Sequence, residues 1–282
     1  MEKIDFKPFS LSVHGRLTEW QRPVVMGILN ITDDSFYDGG RHAGAEAMLA
    51  HARWLLDEGA DIIDLGAVSS RPGAHLLPPA DEAHRLSDAV ALLREQLPDA
   101  ILSVDTCYSL PARAAIEAGA DMVNDISGGQ FDPEMYHTIS DLQVPYILMH
   151  TRGTPDHMQQ HTDYADIVDD LTHYFSERLD QLYTLGIKDL WIDPGFGFAK
   201  TTVQNHELLM RLDELTTLFR EPLLVGMSRK SMIYKPLNIT ADQALAGTIA
   251  LDTLALERGA RILRVHDPRP ARETIKLMFQ DI

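Results

Sequence analysis

Polar residues recur where short apolar runs of this 282-residue sequence end. Asn30 stands in run 24–31 (VVMGILNI), and Ser69, Ser70 and Arg71 follow run 61–67 (DIIDLGA). Asp105 lies in 101–106 (ILSVDT), Asn124 and Asp125 in 122–127 (MVNDIS), and Met149 and His150 in 145–150 (PYILMH). Asp193 lies in 190–195 (LWIDPG), and Ser228 to Ser231 (SRKS) end or follow 222–228 (PLLVGMS). Arg264, His266 and Asp267 belong to 262–267 (ILRVHD). Gathering so many polar groups on one rim is costly unless partners or a ligand satisfy them. Asp105, Asn124 and Asp193 offer acceptors plus an amide, a set suited to a flat nitrogen heterocycle with several N–H donors. The same carboxylates leave general acid–base chemistry or a metal open, although no histidine-rich set supports a transition metal. Arg71, Arg229, Lys230, Arg264 and His266 follow the second, seventh and eighth runs. The last two are where barrels often hold phosphate, so an anion site is expected.

The elements that must position these groups follow from the spacing. From the first run to the last, starts are about 34 residues apart, room for one strand, one helix and two loops. The runs lack polar alternation, as parallel strands covered on both faces do. Between them lie helical stretches; in 164–185, Ile167, Val168, Leu171, Phe175, Leu179 and Leu182 recur every three or four residues. Gly59, Gly119, Gly186 and Gly259 each stand just before a strand, where a helix end needs a left-handed residue. Three of them open Gly-Ala-Asp or Gly-Ala-Arg, a weak internal repeat. Residues 9–22 alternate around His14-Gly15 and are predicted to form a hairpin. The expected architecture is a single-domain (β/α)₈ TIM barrel over 23–282, preceded by an N-terminal segment 1–22. A doubly wound open sheet is the alternative. Both place their sites at the carboxyl ends of the strands.

Composition narrows the partners. With 25 Lys+Arg against 42 Asp+Glu the formal charge is −17, which argues against nucleic acid or anionic membrane. No apolar run approaches the length of a spanning helix, and the opening MEKIDFKPFS lacks a signal peptide's apolar stretch. One cysteine, Cys107, rules out an internal disulfide. A soluble, cytoplasmic protein is expected. Several near-motifs carry little. Run 194–201 (PGFGFAKT) has proline and alanine where a P-loop needs glycines, so its glycines are expected to allow close approach to a ligand. His157 and His161 lack an intervening HExxH-type glutamate, and Cys107 lacks an activating neighbour. Loops 32–43 and 68–80 are long, rich in Gly, Pro and Ser, and are expected to close over substrate.

In family order, the segments MGILNITDDSFYDGG, DIIDLGAVSSRPG, LSVDT, ARAAIEAGADMVNDISG, PYILMHTRGTP, DPGFGFAKT, GMSRKSMI and ILRVHD span Met26 to Asp267. On these motifs the chain resembles the bacterial dihydropteroate synthases of the pterin-binding enzyme family. The resemblance implies a transferase of folate biosynthesis on a TIM barrel. It would condense 6-hydroxymethyl-7,8-dihydropterin diphosphate with 4-aminobenzoate, giving 7,8-dihydropteroate and diphosphate through a dissociative, SN1-like step. Carried over by motif, Asp105, Asn124, Asp193 and Lys230 would bond the pterin, and Ile126, Met149 and Phe198 would pack against it. Asn30 would hold Mg²⁺ and, with Arg264 and His266, the diphosphate. Phe36, Ser70, Arg71, Pro72 and Ser231 would surround the aminobenzoate. The residues at the reacting centre would be Asp105, Lys230, Arg264 and His266. The resemblance also implies competition by sulfonamides and a homodimer. Departures from the family pattern are Asp33 for proline, Ala67-Val68 for Gly-Glu, Ser70 for threonine, and Cys107-Tyr108 without the usual lysine. Two alternatives stand beside this reading. One is a silent pterin-binding paralogue, supported only by the altered first loop. The other is a methyltetrahydrofolate-dependent methyltransferase, against which Arg229-Lys230 and the long Ser-Arg-Pro loop speak.

Overall fold

Seven of the eight apolar runs become strands close to their expected bounds, and the run 222–228 is a strand only at Leu224–Val225. The computed structural model describes residues 6–13, 15–31, 41–67 and 77–279. The loop expectations for 32–40 and 68–76, with Phe36, Ser70, Arg71 and Pro72, lie outside the described residues, as do Asp33 and Val68. The barrel strands are β3 (Val24–Asn30), β4 (Ile62–Gly66), β5 (Ile101–Asp105) and β6 (Met122–Asp125), then β7 (Tyr146–Met149), β8 (Leu190–Asp193), β9 (Leu224–Val225) and β10 (Ile262–Val265). They pair in parallel in the order β8-β7-β6-β5-β4-β3-β10-β9, and a parallel bridge from Ile192 to Leu223 joins the two ends. The sheet is therefore a closed barrel, not a doubly wound open one. Closure is thinnest at β9, which contributes two residues to the ladder.

The outer layer is helical: α1 (Arg41–Asp57), α2 (Pro79–Gln96), α3 (Ser109–Glu117), α4 (Met135–Leu142) and α5 (Ile167–Thr184), then α6 (Thr202–Met210), α7 (Leu212–Leu218), α8 (Ser231–Leu237), α9 (Leu245–Glu257) and α10 (Pro268–Phe279). All six periodic residues of α5 are buried, as an amphipathic stripe requires. The four glycine stops carry φ values of +97°, +113°, +83° and +93°. The Gly-Ala-Asp repeat also has a physical basis. Arg94 Nη2 donates to the Gly119 carbonyl and to Asp121, each at 2.8 Å, while Asp121 accepts from the Leu102 amide at 2.7 Å. Arg272 Nη2 does the same at Gly59 (2.7 Å) and Asp61 (2.5 Å), with Asp61 accepting from the Val25 amide at 2.9 Å. Each triplet thus locks a helix end to the start of a strand.

The hairpin forms as β1 (Phe9–Val13) paired antiparallel with β2 (Arg16–Trp20). Its inward residues Phe9, Leu11, Val13 and Trp20 pack with Val24, Met26, Ile62, Met122, Ile147, Trp191, Leu224 and Ile262. These are the first inward positions of the barrel strands, so the hairpin plugs the amino-terminal mouth. No local pattern in the sequence marks that docking. Among the described residues no helix is long and apolar enough to cross a membrane.

Candidate active site at the carboxyl mouth of the barrel

Along each strand alternate side chains face the barrel axis, so residues two past the plug form the next layer. Here the interior turns polar. Asp64 of β4, fully buried, accepts from Ser103 Oγ at 2.6 Å, Asn124 Nδ2 at 3.0 Å and Arg264 Nε at 2.6 Å. Arg264 Nη2 reaches the next layer and donates to Asp105 at 2.7 Å. Two carboxylates thus share one guanidinium, which offsets the cost of burying all three. Burial pushes Asp105 up to about 7 against the pull of Arg264, with Asp64, Glu82 and Asp125 adding to the rise. Asn124 keeps one buried oxygen, Oδ1, with no hydrogen-bond partner. An orphaned acceptor beside a carboxyl is an opening for a ligand N–H. Asp64 was missed by sequence reasoning, although strand alternation from Ile62 points it inward.

Across the axis, Asp193 of β8 accepts from the Gly195 amide at 2.7 Å. Burial raises its pKa, with Lys230 the chief opposing charge. Lys230 sits at the start of α8. Its Nζ donates to the Phe196 carbonyl at 2.5 Å and lies 4.6 Å from the centre of the Phe198 ring. Enclosure in the mouth lowers it to about 8, against the attraction of Asp193. Between these polar groups lies an apolar wall of Cys107, Ile126, Met149, Met158, Phe198 and Ala199. The three residues expected to pack against a ring are therefore brought together. Cys107 is part of that wall, and burial pushes its thiol well up, so it stays protonated.

Nearer the rim, the backbone amide of His266 donates to Ser228 Oγ at 3.2 Å, and its Nδ1 lies 3.0 Å from the same hydroxyl. Asn30 is exposed at the end of β3, and Ser231 is partly exposed at the first turn of α8. The expectation of five cations turned to one anion site is corrected at Arg229. Its backbone is left-handed (φ +56°), and its guanidinium forms two hydrogen bonds to Asp267, at 2.7 and 3.0 Å. Arg264 likewise has its carboxylate partners within the barrel. Asp125 faces outward from β6, where it accepts from the Ser127 amide and hydroxyl, the Gly129 amide and the Tyr146 hydroxyl, each at 2.7 Å. It shapes the loop after β6. Lys200 was also missed: it is buried, 3.0 Å from the Gly195 carbonyl.

The arrangement is a polar, acceptor-rich cup with one apolar wall and cations on its far side. It suits a flat ring with N–H donors and an anionic substituent. Comparison with known proteins agrees. The family model described as pterin binding enzyme matches residues 26–266. A dihydropteroate synthase of Synechocystis sp. is 42% identical over 277 residues, covering 97% of this chain and 95% of that protein. The Escherichia coli dihydropteroate synthase is 38% identical over 270 residues, covering 95% and 94%. Among solved structures, the Yersinia pestis dihydropteroate synthase in a sulfonamide drug complex aligns with a TM-score of 0.88 at 37% identity over 97% and 98% of the two chains. The Xanthomonas albilineans dihydropteroate synthase with 4-aminobenzoic acid aligns with a TM-score of 0.86 at 39% identity over 95% and 96%.

Proposed function

The chain belongs to the pterin binding enzyme family, and from that premise we propose that it works as a dihydropteroate synthase. The observation that carries the reading is the meeting of Asp105, Asn124, Asp193 and Lys230 around the wall of Ile126, Met149 and Phe198. The dihydropterin ring lies against that wall. Its ring N–H and amino donors meet the Asn124 Oδ1 acceptor and the Asp105 and Asp193 carboxyls, and Lys230 donates to a ring acceptor.

The reaction breaks the bond between the methylene carbon and the diphosphate oxygen, with the electron pair leaving on diphosphate. The aminobenzoate nitrogen then bonds to that carbon and loses a proton. Asp105 favours the cation that develops on the pterin, because a buried carboxylate is a strong field in a water-poor site. Arg264, anchored by Asp64 and Asp105, and His266, anchored by Ser228, set positive charge and donors towards the leaving group. Phe36, Ser70, Arg71, Pro72 and Ser231 receive the aminobenzoate, and sulfonamides compete for the same place.

The donor set fits Mg²⁺ only as an ion shared with substrate. Among the described residues no three His, Cys, Asp or Glu side chains form a metal cluster, whereas the exposed Asn30 offers one amide oxygen at the rim. Mg²⁺ characteristically takes one or two protein oxygens plus substrate phosphates. Asn30 would hold it, and bound there it would neutralise charge on the departing diphosphate. Pairing into a homodimer is supported by apolar side chains exposed on adjoining helices: Met210 of α6, Leu237 of α8 and Leu245 of α9. The single, buried cysteine supports a cytoplasmic setting.

The deciding experiment is diphosphate release from the dihydropterin diphosphate with Mg²⁺, with and without 4-aminobenzoate. Release that depends on aminobenzoate is expected. Pterin binding without turnover would replace this reading with the silent paralogue. Lys230→Ala is expected to weaken binding of both substrates, and unchanged KM values would remove Lys230 from the site.

A further inference from the structure

The loop after β8 carries three residues with left-handed backbone, Gly195, Gly197 and Ala199, and one side chain ties it down. Lys200 Nζ lies 3.0 Å from the Gly195 carbonyl, 3.1 Å from the Phe198 carbonyl and 3.0 Å from His150 Nδ1. Burial pulls the Lys200 pKa well down, against the attraction of Asp193; an ammonium has three donors and no acceptor, so these three acceptors are the groups that favour its charged form. With Lys200 charged, His150 presents a lone pair at Nδ1 and carries its proton on Nε2. The ring of His150 is held edge-to-face against Tyr174, 4.8 Å between centroids, and Tyr174 donates to the Met149 carbonyl at 2.9 Å. The charged groups that act on this pair are Asp193, Lys230 and Arg152. Burial, then Lys200 and Arg152, keep His150 neutral.

The loop has no slack around this tie. A Cβ at Gly195 would come 2.0 Å from the His150 carbonyl oxygen, and one at Gly197 would come 3.1 Å from Lys230 Cδ. The intervening Phe196 carbonyl accepts from Lys230, and Phe198 supplies its ring to the apolar wall. Asn205 holds the Gly197 amide at 2.7 Å from the outer side. A buried charged or polar tie gives little net stability over an apolar side chain of the same shape, so its effect lies in the geometry that it imposes.

We propose that Lys200 is a positioning residue for pterin recognition: its buried side-chain nitrogen fastens the Gly195 and Phe198 carbonyls to His150 and thereby sets Phe198 and the Lys230 partner carbonyl. The proposal rests on the reading of this mouth as the pterin pocket.

Steady-state kinetics of the full-length enzyme with the dihydropterin diphosphate and 4-aminobenzoate test it on wild type, Lys200→Met and Gly197→Ala. Losing the hydrogen bonds that fasten the loop should raise the pterin KM about tenfold or more in Lys200→Met, with a smaller change in kcat. Gly197→Ala keeps Lys200 but pushes the loop off Lys230, and should give the same split. A folded Lys200→Met enzyme with a lower melting temperature but an unchanged pterin KM would overturn the proposal, since a purely structural tie behaves so. Should that variant not fold, ¹⁵N NMR of wild-type His150 decides. A neutral ring protonated on Nε2 between pH 5.5 and 8 supports the tie, and a proton on Nδ1 overturns it. A wild-type enzyme that binds no pterin diphosphate would instead sink the functional reading, with the tie still judged by the NMR signal.

Discussion

The two mouths of this barrel are built from the same eight strands and differ in what the alternation places inside. At the amino mouth every inward position is apolar, and a hairpin from outside the repeat covers it with Phe9, Leu11, Val13 and Trp20. Phe9 stacks on Trp20 at 5.3 Å, and both meet Trp191 edge-on. Two residues further along the same strands, the interior holds Asp64, Asn124, Asp193 and Arg264, with Asp105 in the layer beyond. The first mouth is filled by apolar groups of its own chain, although Trp191 Nε1 finds no hydrogen-bond partner there. The second is satisfied only in part, leaving Asn124 Oδ1 without a partner and acids whose charge depends on nearby cations. Stability is concentrated at one end, recognition at the other, and the Asp64–Arg264 layer lies between.

That boundary layer is where the largest effect is expected. Asp64→Ala removes the acceptor of three donors and leaves the buried Arg264 guanidinium with Asp105 as its remaining carboxylate partner. Breaking a buried pair from one side costs about 3–5 kcal/mol, to be read from urea unfolding. Pterin affinity should fall as well, because Arg264 then pairs with Asp105 alone. A stable variant would mean that the layer is not what divides the mouths. Leu11→Ala attacks the plug. Truncating a buried leucine costs about 2–5 kcal/mol, while pterin affinity in the folded enzyme should stay as in wild type. A parallel loss of affinity would erase the contrast.

Asp193→Asn is the converse test at the upper mouth. It is nearly isosteric but replaces an acceptor with a donor, so pterin binding should weaken about tenfold to a hundredfold, the loss of a hydrogen bond to a charged group. Titration calorimetry with the pterin diphosphate measures it; an unchanged Kd would place Asp193 outside the pocket.

How far the sequence foretold this contrast varies by feature. The strands were legible because buried parallel strands are short apolar runs, and four of the helix ends before a strand announced themselves by a glycine, whereas α2, α4 and α7 end without one. Asp105, Asn124 and Asp193 were legible because they stand at run ends. Asp64 was not, because it lies inside a run where only the phase of the alternation marks it. Lys200 was not, because a buried lysine is identified by its acceptors, here the carbonyls of Gly195 and Phe198, which are brought to it by the loop. Arg229 misled for the same reason: Asp267, 38 residues away in sequence, takes its guanidinium. The hairpin was legible, and its docking was not, since pairing of distant apolar faces leaves no local mark.

The comparison also rests on a claim that can be isolated: cations at the upper mouth are what allow buried acids there to carry charge. Asp252 on α9 supplies the control. It is as buried as Asp193, its Oδ1 finds no hydrogen-bond partner, and burial alone raises it to about 8. In the unfolded chain an aspartate titrates near 3.9. Below that value both states are protonated, and Asp252 has no pH-dependent effect. Between about 4 and 8 the folded state keeps a proton that the unfolded state has released, so stability falls as pH rises. Above about 8 both states are ionised and the penalty is constant. The slope approaches about 1.4 kcal/mol per pH unit for one proton. Asp252→Asn removes that proton from the balance. Urea unfolding of both proteins from pH 5 to 8 should therefore show wild type losing stability relative to the variant as pH rises. Parallel curves would mean that burial without a cation does not keep this acid neutral, and the role given to Lys230 and Arg264 would need another basis.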